Sequence, residues 1–370
     1  MQSRIEGARP VRSLDGIRAV AIAGVVLLHT VPFAAGGYIG VEVFFVLSGF
    51  LITTLLVREV EATGSVQRVV FFARRALRLV PGMLVLLALS VVLASLTGSN
   101  NGGLPLAQAV PAVLFYGGNW VEAMGLGLGY LSHTWSLAIE VQFYVVWPLL
   151  IAALAKRVDA VKLLAIATVA LVGLRAGLTP LAPSAGNLAV WTTSKLDCLL
   201  IGAMLALLLA RHPTLVTRAM GAPWIGYAAG STVIGVGVLL SVVDSPERWS
   251  DYGLTTVVAV ATAIVIAHVL VHPTGSISAG LGTRPMAGIG RVSYGIYLYH
   301  WPIVAWVGPQ AWSATTQLVV EYTLVAACVA ASWVLIEQPA LRLRRHVVRS
   351  RDAASEVGST PIGLEPLRVG

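Results

Sequence analysis

Apolar positions in this chain come in long unbroken blocks. Stretches of roughly 17 to 25 mostly apolar residues, the length a helix needs to cross a bilayer's hydrocarbon, lie at about 15–32, 36–57, 79–96, 135–155, 161–178, 192–210, 222–243, 253–271, 289–307 and 315–336. The pattern predicts an all-α membrane protein, a bundle of about ten transmembrane helices. The first block carries Arg18 and His29 and lacks a convincing cleavage site, so it is expected to be a retained span rather than a signal peptide. The connection 97–134 is rich in Gly and Asn, holds Phe115, Tyr116 and Trp120 and has no Lys or Arg. It is expected to form an interfacial or re-entrant element.

Composition sharpens this reading. The 370 residues are 57% hydrophobic and 11% charged, and 17 acids cannot clothe a soluble globule of this size. Disordered, fibrous and nucleic-acid-binding classes are excluded despite the net charge of +8. The first partner is therefore the lipid bilayer, with no nucleic acid. Cys198 and Cys328 both lie inside apolar runs, which excludes a disulfide scaffold and a CxxC metal or redox motif. No metal site is expected.

The basic residues report topology. With the N-terminus inside, cytoplasmic segments hold 20 of the 25 Lys and Arg: three before the first span, five in 58–78, three in 156–162, two in 211–221, one in 272–288 and six after the last. The other side holds only Arg248, and Arg18, Arg175, Lys195 and Arg291 lie in or at the ends of spans. By the positive-inside rule both termini are cytoplasmic, in a multi-pass protein of the inner or plasma membrane. We expect a membrane domain over 1–342 and a tail over 343–370 that is basic and then disordered.

Ionisable groups inside the spans need a partner, a wet cavity or a function, because a charge at mid-membrane costs about 2.5–3.5 kcal/mol on insertion scales. They are Arg18, His29, Glu42, Glu140, Lys195, Asp197, Arg291, His300 and Glu321. Lys195 and Asp197 could be satisfied by pairing with a neighbouring span. Arg18 and His29, eleven residues apart, share one helix face about 16 Å apart along the axis. That arrangement suits a long ligand whose anionic part meets Arg18 and whose reactive end reaches His29, the side chain suited to move a proton near neutral pH.

His133, Ser136 and Glu140 in HTWSLAIEVQFYVVWP are spaced by three and four, so they can face one cavity with Tyr144 and Trp147. For Trp147, interfacial packing is the favoured reading. The segment 68–81, read as an inner loop, brings together Arg74, Arg75 and Arg78. Arg75 and Arg78 make a compact fork for phosphate oxygens, or serve only as topology charges. The absence of a Gly-rich phosphate loop means that side chains would have to hold any nucleotide-like ligand. In RVSYGIYLYHWPIVAW, Tyr294, Tyr297, Tyr299, His300 and Trp301 precede Pro302, which should kink the helix and free backbone carbonyls toward a cavity.

These segments in this order resemble acyltransferase family 3. The pieces that carry the resemblance are RSLDGIRAVAIAGVVLLH with its Arg18-x10-His29 spacing, VEVFFVLSGFLI at 41–52, RRALRLVP at 74–81, HTWSLAIEVQFYVVWP at 133–148, LDCLLIGA at 196–203, SYGIYLYHWPI at 293–303 and IEQPALR at 336–342. The resemblance implies a ten-helix bundle that takes an acyl group from cytoplasmic acyl-CoA and delivers it to a hydroxyl of a carbohydrate or glycosylated small molecule at or beyond the outer face. It implies His29 as the catalytic residue, Arg18 as its companion and Arg75 with Arg78 as donor-binding residues, flanked by Arg74. Many relatives have Glu-Glu before the aromatic residue of the fourth motif. Here Glu140 precedes Val141 and Gln142, so the acid's role falls on Glu140 alone.

On this reading acyl-CoA, probed first as acetyl-CoA, is a co-substrate and no cofactor is tightly bound. Glu140 is expected to orient the His29 ring, and Tyr297, Ser136 or His300, near His133, to donate to the oxyanion. The chain is expected to lack the serine-hydrolase-like domain of some relatives, so a further relay would fall to a separate extracytoplasmic protein. Asn100, Asn101, Asn119, Trp120 and Tyr130 form either a sugar-binding outer surface or an ordinary interfacial loop. The rival reading from another class is a proton-coupled transporter or exporter, which uses the same intramembrane residue types.

Overall fold

The computed structural model describes residues 11–154, 157, 159–181, 188–242 and 250–340. The expected tail at 343–370 and Arg248 lie outside them. Among the described residues the protein is helical throughout, with no strand. The principal helices are α1 (Arg12–Thr30), α2 (Ile39–Thr63), α3 (Arg68–Thr97), α4 (Leu106–Leu114), α5 (Gly118–Ala123), α6 (Trp135–Leu154), α7 (Ala160–Leu178) and α8 (Thr192–Arg211). They continue with α9 (Pro213–Ala219), α10 (Trp224–Val242), α11 (Thr255–Val271), α12 (Ser276–Leu281), α13 (Arg284–Val307) and α14 (Ala314–Ser332). Nine described helices are long and apolar enough to cross a membrane. The tenth expected span lies in α13, which has 24 residues but is too polar to be counted with them. Its Ser293, Tyr299 and His300 are buried, so the polarity that lowers its hydropathy is turned into the bundle.

Helix bounds agree with the apolar blocks to within a few residues except at α3. That helix starts at Arg68, so Arg74, Arg75 and Arg78 stand on a continuous helix and not in a loop. The reason is readable in RVVFFARRALRLVP, where arginines alternate with apolar residues at helical spacing and helix propensity is high. Pro81 is accommodated within the helix. The connection 97–134 folds into α4, α5 and a 3₁₀ turn at Gly129–Thr134 rather than open loop.

Two tight helix pairs organise the bundle, α2 with α8 and α1 with α13. Each relies on backbone approach at a glycine. A Cβ on Gly202 would lie 2.1 Å from the Val46 carbonyl oxygen, and one on Gly290 would lie 1.8 Å from that of Asp15. Small residues at such crossings let helices pack closely where no water drives them together. Beyond α14, a π turn at Trp333–Glu337 sets Ser332 and Glu337 five residues apart and still hydrogen-bonded, at 2.9 Å. Ser332 also meets the Tyr299 hydroxyl at 2.7 Å.

Buried charges on the α2–α8 side are paired. Lys195 Nζ lies 2.5 Å from Glu42 Oε1, and the Cys198 thiol contacts Glu42 Oε2 at 3.4 Å. Arg175 forks onto Asp197 with two contacts of 3.2 Å and donates to Thr256 at 2.8 Å and to the Ser194 carbonyl. Lys195 and Asp197 thus each pair with a different span. Breaking such a pair leaves an uncompensated charge in a dry interior. Lys195→Met is expected to destabilise the bundle by about 3–5 kcal/mol, and Glu42→Leu combined with Lys195→Met to recover most of the loss, as read by thermal unfolding in detergent.

Candidate functional site

Helix α1 carries Arg18 and His29 on one face, as their spacing requires. At one end of that face Arg18 Nη1 bonds Asp15 Oδ1 at 3.1 Å, and Arg291 of α13 reaches Asp15 Oδ2 at 3.7 Å. Asp15 had a sequence signal, an acid one helical turn before Arg18.

Arg18 borders a cavity of about 330 Å³ between α1, α2, α3, α6 and α13. Arg75 and Arg78 line it, as do Asp15, Ser48, Ser136, Glu140, Tyr144 and Tyr297. Three guanidinium groups against two carboxylates leave its wall net positive. The Arg75 guanidinium lies 5.3 Å from the Tyr144 ring centre and 5.7 Å from that of Phe71, a placement that holds the cation against π faces. Arg74 does not line the cavity, and its buried Nε has no hydrogen-bond partner.

Glu140 does not touch His29. Its Oε1 accepts hydrogen bonds from the Ser48 and Tyr144 hydroxyls, which anchor it in the cavity wall. The expectation that Glu140 orients the His29 ring is thus not met in this geometry. Ser48, unflagged in the sequence, was legible only as a lone hydroxyl in the apolar run FFVLSGFLI. Trp147 is buried, donating to Thr53 Oγ1 at 2.8 Å and stacking on Phe143. Its role is packing.

Beyond the cavity's Ser136–Tyr297 edge lie three histidines. Ser136 Oγ and Tyr297 Oη are 2.5 Å apart, and Tyr297 donates to the His133 carbonyl at 2.5 Å. Pro302 has no N–H, so the Leu298 carbonyl loses its helical partner. His133 Nε2 occupies that acceptor at 3.0 Å, leaving its buried Nδ1 without a partner. The His300 ring lies 5.7 Å from His133 and 5.1 Å from His29. His29 Nδ1 is 2.9 Å from the Val25 carbonyl and 3.3 Å from His300 Nε2. A carbonyl can only accept, so Nδ1 carries the hydrogen and Nε2 of the neutral ring presents a lone pair. That nitrogen has no hydrogen bond among the described residues. Trp301 packs edge-on against His29 at 4.9 Å, its indole N–H held by the Gly129 carbonyl at 2.9 Å.

The structure thus brings Arg18, Arg75, Arg78, Glu140, Ser136 and Tyr297 to one cavity and joins it through His133 and His300 to His29. The suggested outer sugar surface does not assemble. Asn100 and Tyr130 are buried, and Asn100 bonds the backbone at 104, 128 and 130. Asn119 is fully buried between Gln142 and Thr192. Trp120 remains exposed. No group of three or more His, Cys, Asp or Glu among the described residues is placed to hold a metal ion.

The acyltransferase domain of acyltransferase family 3 matches residues 11–337. The chain belongs to that family. Every residue of the cavity and the histidine cluster falls inside the matched segment. This acyltransferase is 29% identical over 348 residues to the O-acetyltransferase OatA of Staphylococcus aureus (strain NCTC 8325 / PS 47), covering 90% of the present chain and 57% of that protein. It is 30% identical over 318 residues to a second S. aureus (strain COL) protein, itself assigned only as a candidate O-acetyltransferase, covering 81% and 51% of the two chains. The chain thus spans about half the length of the curated relatives it matches. No solved structure matches it. Family membership and nine long apolar helices together make it a multi-pass membrane protein.

Gln142, where many relatives have an acid, ties the connection over the bundle to α6. Its Nε2 donates to the Tyr116 carbonyl and to Asn119 Oδ1, each at 2.9 Å, and its Oε1 accepts from Thr192 at 2.6 Å. Because Asn119 belongs to this buried network, Asn119→Ala is expected to lower stability by about 1–3 kcal/mol while leaving the acceptor KM within about twofold, as checked by thermal unfolding alongside steady-state kinetics.

Proposed function

We propose that this protein is a membrane O-acyltransferase that moves an acyl group, in the simplest case acetyl, from cytoplasmic acyl-CoA to a hydroxyl of a carbohydrate or glycosylated acceptor at or across the membrane. The observation that carries this reading is the His29 ring, fixed with a bare Nε2 lone pair and connected through buried polar side chains to a cavity bearing three arginines. The asymmetry of Lys and Arg supports an inner or plasma membrane protein of about ten spans, with α13 as the tenth and both termini in the cytoplasm. Arg18 then lies toward the cytoplasmic face.

Arg75 and Arg78, with Arg18, hold the phosphate-bearing end of acyl-CoA, where guanidinium groups are the matching donors. The slender arm of the donor runs past Glu140 and the Ser136–Tyr297 pair toward His29. The axial separation of Arg18 and His29, about 16 Å, is traversed by the arm and not by the protein. His29 Nε2 takes the acceptor's O–H proton as the oxygen bonds to the acyl carbon. The carbon–sulfur bond breaks, and the departing thiolate takes the proton from His29, so the products are ester and free thiol. Ser136 Oγ–H and Tyr297 Oη–H lie at the entrance to this region and supply donors that can turn toward the oxyanion. Any further relay of the acyl group falls to a separate extracytoplasmic protein.

With purified full-length protein, radiolabelled acetyl-CoA and a cell-envelope glycan extract, base-labile label is expected in the glycan and is expected to disappear in His29→Ala. Retained transfer in His29→Ala overturns the assignment. Gradient-dependent solute movement with no ester formed would favour a transporter instead. The Arg75→Ala, Arg78→Ala double variant is expected to raise the acetyl-CoA KM by about 100-fold, each charge-assisted contact being worth about 1.5–3 kcal/mol, with the acceptor KM little changed.

A further inference from the structure

His300 is fully buried, and the neighbours of both its ring nitrogens fix what it can do. Nδ1 lies 2.7 Å from the Tyr297 carbonyl and 3.2 Å from that of Ile296. Both oxygens only accept, so Nδ1 carries the hydrogen and Nε2 of the neutral ring is a lone pair. Nε2 faces His29 Nδ1 at 3.3 Å, and that nitrogen carries a hydrogen because of Val25. The contact is therefore directional, with His29 donating and His300 accepting. His300 in this state has no hydrogen left to offer an oxyanion.

We infer that His300 is a positioning residue for His29, an uncharged acceptor that plays the part a carboxylate plays beside many catalytic histidines. The inference rests on the reading of His29 as the base. Sharing the Nδ1 hydrogen between Val25 and His300 sets the rotation of the His29 ring and directs Nε2 away from the helix. When Nε2 takes up the acceptor proton, the Nδ1–H to His300 contact becomes charge-assisted and shortens. No bond to carbon forms at His300, and no proton leaves it.

A neutral partner fits this position. Glu140 is committed to Ser48 and Tyr144, and a carboxylate in place of His300 would sit in a dry helix pair with no cation opposite it. The rings around His300 restrict its motion. His133 stands nearly perpendicular at 77° and 5.7 Å, held by the carbonyl that Pro302 frees, and Trp301 closes the far side of His29.

Two measurements test this on the purified full-length protein. In steady-state acetyl transfer, His300→Phe is expected to lower kcat about 100-fold, the scale seen when a partner that orients an active histidine is lost, with acetyl-CoA KM within about twofold. His300→Gln, whose amide oxygen accepts a hydrogen bond, is expected to recover to within about tenfold of the parent. A His300→Phe enzyme that keeps more than half its kcat, or a folded His300→Gln enzyme no better than His300→Phe, overturns the inference. Imidazole ¹⁵N spectra, assigned with His29→Ala and His300→Gln, read the hydrogens without turnover. The expected pattern is Nδ1–H on both rings with both Nε2 bare, and a hydrogen on His300 Nε2 overturns the inference whatever the reaction. Turnover surviving in His29→Ala with this pattern intact would instead sink only the reading of His29.

Discussion

Hydrocarbon offers no partner to a polar group, and that constraint sorts the interior of this bundle into two kinds of region. Around α2, α7, α8 and α11 each buried charge meets its opposite, with Glu42 on Lys195 and Asp197 on Arg175. Around α1, α3, α6 and α13 the pairing is incomplete. His29 Nε2 is bare, His133 Nδ1 is buried without a partner, and three arginines share a cavity with two carboxylates. Unmet hydrogen-bonding capacity is costly to fold, and its confinement to one side of the bundle distinguishes the region that can receive a ligand from the region that holds the helices together.

Proline governs the geometry of that region through a missing hydrogen. At Pro302 the absent N–H exposes the Leu298 carbonyl, which captures His133 and so decides which of its nitrogens is bare. The carbonyls of Val25 and Tyr297 act likewise on His29 and His300. Three imidazoles thus receive defined tautomers from backbone oxygens alone, with no acid among their partners. The acyltransferase gains a proton-handling cluster without adding fixed charge to the membrane interior.

Much of this was legible in the sequence because membrane helices write their length and polarity directly. Apolar blocks located the spans, and the shared face of Arg18 and His29 followed from helical pitch alone. The spacing of His133, Ser136 and Glu140 foretold a common face but not which acid would meet which ring, since that depends on the lateral neighbours of each helix. The same limit hid the link of Ser48 to Glu140 and the acceptor role of His300. Asn100 and Asn119 illustrate a different loss. Asparagine in a Gly-rich connection reads equally well as ligand-binding or as turn-forming, and only the path of the chain showed their amides turned inward. The arginines of α3 were misplaced into a loop because their charges masked a helical periodicity running on past the apolar block.

The π turn after α14 ties the last described helix to the site through a count of residues. Ser332 reaches Tyr299 on α13 and Glu337 across five positions, a link that depends on the extra residue of a wide turn. Removing any one residue between 333 and 337 would swing Glu337 by about 100° around the helix and point it away from Ser332, whatever the identity of the residue removed. Side chains facing outward in this segment, such as Val334 and Leu335, are free to drift among apolar types, whereas its length is not. In this stretch the protein tolerates respelling and forbids deletion.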